Sequence, residues 1–213
     1  MNEDGVSDYL VVGAGAMGMA FTDVLMNETE ATVTIVDRHG RPGGHWNDSY
    51  PFVRLHQPSS FYGVNSRALG TNQKDSFGLN AGLYELASGS EVVTYFEQVM
   101  NQQFLPTGRV EYLPMCEYIG NGTVRNLVSG VETHLEAEKT VDATYMNVTV
   151  PAVTTPSYKV SKGVTCIPPN GLPEISETPG GYVVVGGGKT AIDSCLWLLG
   201  NGVNLSLIHI SEP

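Results

Sequence analysis

The chain has 213 residues, 41% of them hydrophobic, enough to bury a core in one large or two small domains. Its 11 Lys and Arg stand against 22 Asp and Glu, a net charge of −11, which argues against a nucleic-acid-binding surface. No apolar run approaches a membrane span, Met1-Asn2-Glu3-Asp4 is too acidic for a secretory signal, and Cys116, Cys166 and Cys195 are too scattered for a disulfide framework, so a cytoplasmic protein that needs no membrane is expected.

The first predicted element is a short buried strand over 8–12, an apolar run without alternation. A helix over 16–26 follows, with Met17, Ala20, Phe21, Val24 and Leu25 expected on its packed side. Thr32-Val33-Thr34-Ile35-Val36 is a second, β-branched strand ending at Asp37. Residues 40–80 are rich in Gly, Pro, Ser and Asn with little periodicity, long enough for a loop to imply a function or a ligand. A helix is expected over 91–105, capped by Ser90. After it come a strand over 110–114, a small antiparallel meander at 115–140 with an Asn121-Gly122 turn, and a buried strand over 140–145. The Pro-rich segment 151–179 reads as a linker. A new strand-helix unit then opens at Tyr182, its helix carrying Ile192, Cys195, Leu196 and Leu199 at i, i+3, i+4, i+7 and stopping at Gly200-Asn201-Gly202.

Two glycine-rich turns fall where these strands end and helices begin. The first is Gly13-Ala14-Gly15-Ala16-Met17-Gly18 and the second Gly186-Gly187-Gly188-Lys189-Thr190-Ala191. Both read G-x-G-x-x-G/A, the dinucleotide-binding fingerprint. In the first, Gly13 permits the tight turn, Gly15 lets a pyrophosphate approach the backbone, and Gly18 lets helix and strand pack closely. Unpaired N–H groups at the helix N-terminus, with the positive end of its dipole, face the phosphates. Asp37, 19 positions after Gly18, stands where an acid accepts from a ribose hydroxyl. In the second turn Ala191 takes the place of the third glycine, and Lys189 starts the helix near a phosphate. A P-loop is rejected, because Val183 stands where its first glycine would be.

Between the turns, Gly43-Gly44-His45-Trp46 offers two glycines for close approach to a flat ligand and an indole wall, and Arg38, His56 and Gln57 add polar groups. Core packing for Trp46 and structural roles for His45 and His56 are the competing readings. Neither histidine has a partner at metal-ligand spacing, so no metal is expected. No residue stands out as a catalytic acid, base or nucleophile.

The first fingerprint, Asp37-Arg38 and Gly43-Gly44-His45-Trp46 together resemble the N-terminus of two-dinucleotide flavoproteins, the flavin-containing monooxygenase group and related FAD/NAD(P)-dependent oxidoreductases. The similarity covers most of 8–204. It implies an α/β fold, a Rossmann-like FAD domain with an inserted, truncated Rossmann-like NAD(P)-binding domain. FAD would sit at the first turn, NADP or NAD at the second, and a small-molecule substrate would be acted on. Asp142-Ala143-Thr144-Tyr145 resembles the family's Ala-Thr-Gly return strand, with Tyr145 in place of the glycine. Two departures stand out. Pro168 to Gly181 lacks the Phe and His of the F-x-G-x-x-x-H segment usual in the monooxygenases, and the three cysteines supply no redox pair of the disulfide-reductase kind. An FAD-dependent oxidoreductase passing electrons from NAD(P)H to O2 or an organic acceptor is the leading reading. A monooxygenase of a nitrogen or carbon centre and a non-catalytic dinucleotide sensor are the alternatives.

The expected domains are 1–150 for FAD and 151–204 for the linker and the start of the NAD(P) unit. Leu205 to Pro213 resembles the translated end of a transposase sequencing adapter. On that reading the natural chain is cut off near Asn204, the chain is a fragment of a longer enzyme, and 205–213 is a non-native tail set aside from fold reasoning. A strand, from the alternation in 205–210, is the other reading.

Overall fold

The computed structural model describes residues 6–144, 151–153, 155 and 158–211. The chain divides into two compact units, Met1–Asn47 with Leu55–Val148, and Asp48–Arg54 with Thr149–Pro213.

The first unit opens with β1 (Ser7–Val12), α1 (Ala16–Glu28) and β2 (Val33–Val36). A hairpin of β3 (Gly63–Val64) and β4 (Arg67–Ala68) precedes α2 (Gly89–Val99). Then come β5 (Val110–Leu113), β6 (Cys116–Gly120), β7 (Thr123–Asn126), β8 (Glu132–His134) and β9 (Ala137–Asp142). The central sheet runs β5-β2-β1-β9, every pair parallel. The run Val33-Thr34-Ile35-Val36 is buried along its whole length, as a strand covered on both faces requires. Val11, Met19, Ile35, Val92, Phe96 and Val99 have no more than a trace of surface and form the core between sheet and helices. The meander β6-β7-β8 is antiparallel and separate from this sheet.

Several expectations are corrected here. The packed face of α1 is Gly18, Met19, Thr22, Asp23 and Leu25, while Met17 is 66% exposed and Val24 also faces out. A Cβ on Gly18 would lie 1.9 Å from the Gly13 carbonyl oxygen, so that glycine must face β1, and it sets the rotation of the helix. Asp23 is thereby buried; it accepts from the Ser66 N–H at 3.0 Å, the Ser66 hydroxyl and Asn27 Nδ2. The cap of α2 is Ser88, not Ser90. Its hydroxyl accepts from the Glu91 N–H while the Glu91 carboxylate accepts from the Ser88 N–H, a reciprocal capping box. After Val99 the helix widens into a π-turn, Met100–Phe104, and closes as a 3₁₀ turn, Leu105–Thr107. The strand expected over 140–145 starts earlier, at Ala137. It is the sheet edge, and most of its residues are exposed. Tyr145 lies outside the described residues.

The second unit holds β10 (Tyr182–Val185), α3 (Lys189–Gly200) and β11 (Ile208–Ser211). β10 and β11 pair in parallel, Tyr182 to Val185 against Ile208 to Ser211. The segment from Ile208, left out of fold reasoning on the adapter reading, forms this strand. Its Ile-His-Ile run alternates, and the helix return of a βαβ unit places it beside β10. The buried residues of α3 are Ala191, Ser194 and Leu198. Ile192, Leu196 and Leu199, expected as the packed stripe, are 51%, 45% and 39% exposed, because the two-stranded sheet contacts only the opposite face. Residues 48–54 also differ from the expected division. Phe52 stacks on Trp197 with ring centroids 5.3 Å apart, and Asn170 Nδ2 donates to the Asp48 carbonyl.

Candidate functional site: two glycine turns

The first turn is built by backbone geometry. Gly13 has φ +104°, and the backbone either side of it is tied down by Gly13 N–H to Val36 O and Ala143 N–H to Val12 O. A Cβ on Gly13 would meet Thr144 Cγ2 at 3.1 Å. Thr144 is itself fixed by donating its N–H and hydroxyl to Asp142 Oδ1, bonds that hold the Asp142 carboxyl below its usual range. Gly15 and Gly44 face one another. A Cβ on Gly44, which has φ +55°, would lie 2.9 Å from Gly15 Cα, and Gly43 N–H donates to Ala14 O at 2.9 Å. The Gly43-Gly44 pair is therefore laid against the first turn, so two of the predicted motifs form one surface. Asn47 holds the loop by donating to the carbonyls of Arg41 and Gly44.

Asp37 closes this surface. Its Oδ2 accepts from Ala14 N–H at 2.6 Å, and its Oδ1 from His39 N–H at 2.7 Å, with His39 Nδ1 at 2.9 Å. The residue is 5% exposed. A carboxylate offers about four lone-pair sites; these contacts use three, which leaves room for a ribose hydroxyl. His39 was not anticipated from the sequence; its position two residues beyond an acid at a strand end was the available signal.

The ends of the three helices differ in a telling way. α2 has its capping box and an acid in its first turn. α1, capped by Gly15, and α3, capped by Gly188, have neither a side-chain cap nor an acidic residue there. The first-turn amides of a helix have no i−4 acceptor within it, so those of α1, and those of α3 apart from the Ala191 N–H, which donates to the Gly188 carbonyl at 3.0 Å, are the ones left for an anion. This arrangement fits the pyrophosphate of a dinucleotide at each glycine turn. Gly186 repeats the geometry of Gly13 with φ +128°, and Ala191 Cβ is an ordinary 3.9 Å from where a Gly186 Cβ would be.

The remaining predicted residues fall as follows. Ala16 and Met17 begin α1, and Arg38 is exposed beside Asp37. Trp46 is half-buried against the core, donating Nε1–H to Tyr62 OH at 2.7 Å, with the His45 ring stacked 5.4 Å away. Burial pushes the Tyr62 hydroxyl above its usual range, so it remains protonated. His56 is exposed and Gln57 half-buried. Among the described residues neither makes a hydrogen bond to the first turn. Gly187, Lys189 and Thr190 lie at the head of α3, where the Lys189 ammonium is paired with Asp193.

Fold and site define a protein with Rossmann-like dinucleotide-binding geometry. Residues 11–61 match the NAD(P)-binding Rossmann-like domain. The uncharacterised protein Rv2000 of Mycobacterium tuberculosis is 55% identical over 197 residues, 92% of this chain and 36% of the relative, and a Mycobacterium bovis protein matches equally. The chain thus spans about a third of the length of these curated relatives. A flavin-containing monooxygenase from Stenotrophomonas maltophilia has a TM-score of 0.59 at 15% identity, over 97% of this chain and 57% of that one. A cyclohexanone monooxygenase from Rhodococcus, bound to NADP+, gives 0.54 at 22% identity, over 97% and 38%. The bacillithiol disulfide reductase of Staphylococcus aureus gives 0.61 at 13%, over 97% and 57%. At these identities the likeness is one of fold, an α/β fold shared with flavin monooxygenases and flavoprotein disulfide reductases. Among the described residues no helix is long and apolar enough to cross a membrane.

Proposed function

We propose that the first glycine turn holds the pyrophosphate of FAD and the second that of NADPH or NADH, making the chain the cofactor-binding part of an NAD(P)H-dependent flavin oxidoreductase. The observation that carries this reading is the contrast in helix ends, with α1 and α3 uncapped at glycine turns and α2 fully capped. Bound flavin would accept hydride from the nicotinamide and pass electrons on to O2 or an organic acceptor. The chain's own part is to bind and orient. Asp37 would accept from the adenosine ribose, Gly15 and Gly44 would admit the pyrophosphate, and the amides of Ala16, Met17 and Gly18 would face its charge. A monooxygenase reaction is the second reading, favoured by the likeness of fold to two monooxygenases. Cys116, Cys166 and Cys195 are all free and too far apart in sequence to supply the close redox pair of a disulfide reductase.

The test is a visible absorption spectrum of the purified chain after incubation with FAD. The bands of protein-bound flavin are expected, and they should be lost in Gly15→Val, whose side chain would press on Gly44. A chain that takes up no flavin, or takes it up equally in that variant, refutes the first assignment. Flavin bleaching by NADPH or NADH, lost in Gly188→Val with flavin retained, tests the second. Oxygen uptake with candidate substrates separates monooxygenase from plain oxidoreductase.

A further inference from the structure

Lys189 is the first residue of α3, directly after the glycines of the second turn. A cation at that position is expected to reach for phosphate. Its ammonium instead forms an ion pair with Asp193, one helical turn further on, and lies 3.5 Å from the Tyr50 hydroxyl. Tyr50 donates that hydroxyl to the same Asp193 oxygen at 2.7 Å. The three side chains are substantially buried: Tyr50 is 7% exposed, and the Asp193 and Lys189 side chains 18% and 33%. Burial first, and then the Asp193 carboxylate, push the Tyr50 hydroxyl far above its ordinary range, so it serves as a fixed donor and not as a base. The strap that carries Tyr50 is itself held to the unit by Phe52 on Trp197 and by Asn170 on the Asp48 carbonyl.

We infer that Asp193, with Tyr50 behind it, masks the Lys189 cation and thereby sets the affinity of the second glycine turn for its dinucleotide. The inference rests on the reading of that turn as the NAD(P)H site. The masked pair contributes little net field at the helix start, so the phosphates are met by backbone amides alone. Asp193 is then an affinity-determining residue that touches no ligand. Tyr50 is a positioning residue for it.

The experiment is titration of the whole chain with NADP+ by calorimetry at low and at raised salt. It uses the wild type and the variants Asp193→Asn, Lys189→Gln, the two combined, Tyr50→Phe and Gly188→Val, with each fold checked by circular dichroism. Asp193→Asn keeps a side chain that can accept from Tyr50 but frees the ammonium. It should bind NADP+ at least about threefold more tightly at low salt, as expected for exposing one partly screened charge. The gain should shrink with salt and vanish in the double variant. Tyr50→Phe should give part of the same gain. Lys189→Gln alone leaves the Asp193 carboxylate unmatched and should weaken binding by about the same factor of three at low salt, a loss that shrinks with salt. A purely structural pair would instead give weaker binding in every variant, and that result overturns the inference. So does a tenfold loss in Lys189→Gln, which would mean the ammonium already holds phosphate. If neither the wild type nor any variant binds, or if Gly188→Val binds as well as the wild type, the second-turn assignment falls and the inference with it. Binding that Gly188→Val abolishes but Asp193→Asn does not tighten overturns the inference alone.

Discussion

Removing the Asp37 carboxylate should destabilise the first unit before any cofactor is considered. Asp37→Ala strips the acceptor from the Ala14 and His39 amides, and Ala14 is fully buried. Hydrogen bonds to a charged group contribute about 1.5–3 kcal/mol each. The bonds share one carboxylate, and part of their gain offsets its own burial, so they do not add. A net loss of about 3 kcal/mol is expected, which lowers the unfolding midpoint by roughly 6–12 °C for a unit of this size. Asp37→Asn restores one acceptor oxygen and should recover part of the loss. The chain's two tryptophans, Trp46 and Trp197, fall one in each unit, so thermal unfolding followed by Trp46 fluorescence in a Trp197→Phe background reports the first unit. FAD titration of the same variants reads the ribose contact separately, with about tenfold weaker binding expected for Asp37→Ala from one lost charged hydrogen bond. A midpoint that does not move in Asp37→Ala would refute the anchoring argument. An unmoved FAD affinity would leave Asp37 as an anchor of the turn and nothing more.

Gly18→Ala places a Cβ 1.9 Å from the Gly13 oxygen, so α1 must shift off β1. A loss of at least about 3 kcal/mol is expected, and a urea midpoint equal to the wild type's would show that the helix can slide freely. Ser88→Ala removes half of the α2 capping box and should cost about 1 kcal/mol in the same assay, without altering flavin uptake. Burial first, with the Asp37 and Glu97 carboxylates adding to it, raises the Tyr112 hydroxyl well above its ordinary 10.0. The unfolded chain therefore loses that proton first. The contribution to stability is complete below pH 10 and falls as pH rises above it. Tyr112→Phe should flatten that alkaline decline. At neutral pH it should gain up to about 1 kcal/mol, because the buried Tyr112 hydroxyl has no hydrogen-bond partner among the described residues. A steeper decline, or a loss at neutral pH, would contradict this.

What could be read from the sequence is what local periodicity and glycine spacing encode. The run Val33 to Val36 reads as a buried strand because β-branched residues without alternation suit a strand covered on both faces. The two fingerprints read directly because each glycine answers a backbone demand, Gly13 a positive φ and Gly18 a close approach. Helix rotation was less legible. Met17, Val24, Ile192 and Leu196 all look like core residues by spacing, yet they face outward, since the contact at Gly18 and the narrow sheet beside α3 choose the buried side. Hydropathy alone does not report such constraints. Partnerships at long sequence separation were also hidden. Nothing near Tyr50 points to Asp193, 143 residues away, although the Lys189–Asp193 spacing of four was available as a helical ion pair.

The seven-residue strap from Asp48 to Arg54 constrains how this chain can be made. It emerges from the ribosome early, inside the sequence of the first unit, but its packing partner Asp193 follows 143 residues later, with Trp197 close behind. Tyr50 and Phe52 must therefore wait, unburied, while the β1–α1–β2 segment on one side and α2 on the other can already form from local contacts. A second unit cut out as residues 149–213 would lack the strap and leave the Trp197 ring bare. Adding a peptide carrying 48–54 to such a piece amounts to fragment complementation, with Trp197 emission as its signal.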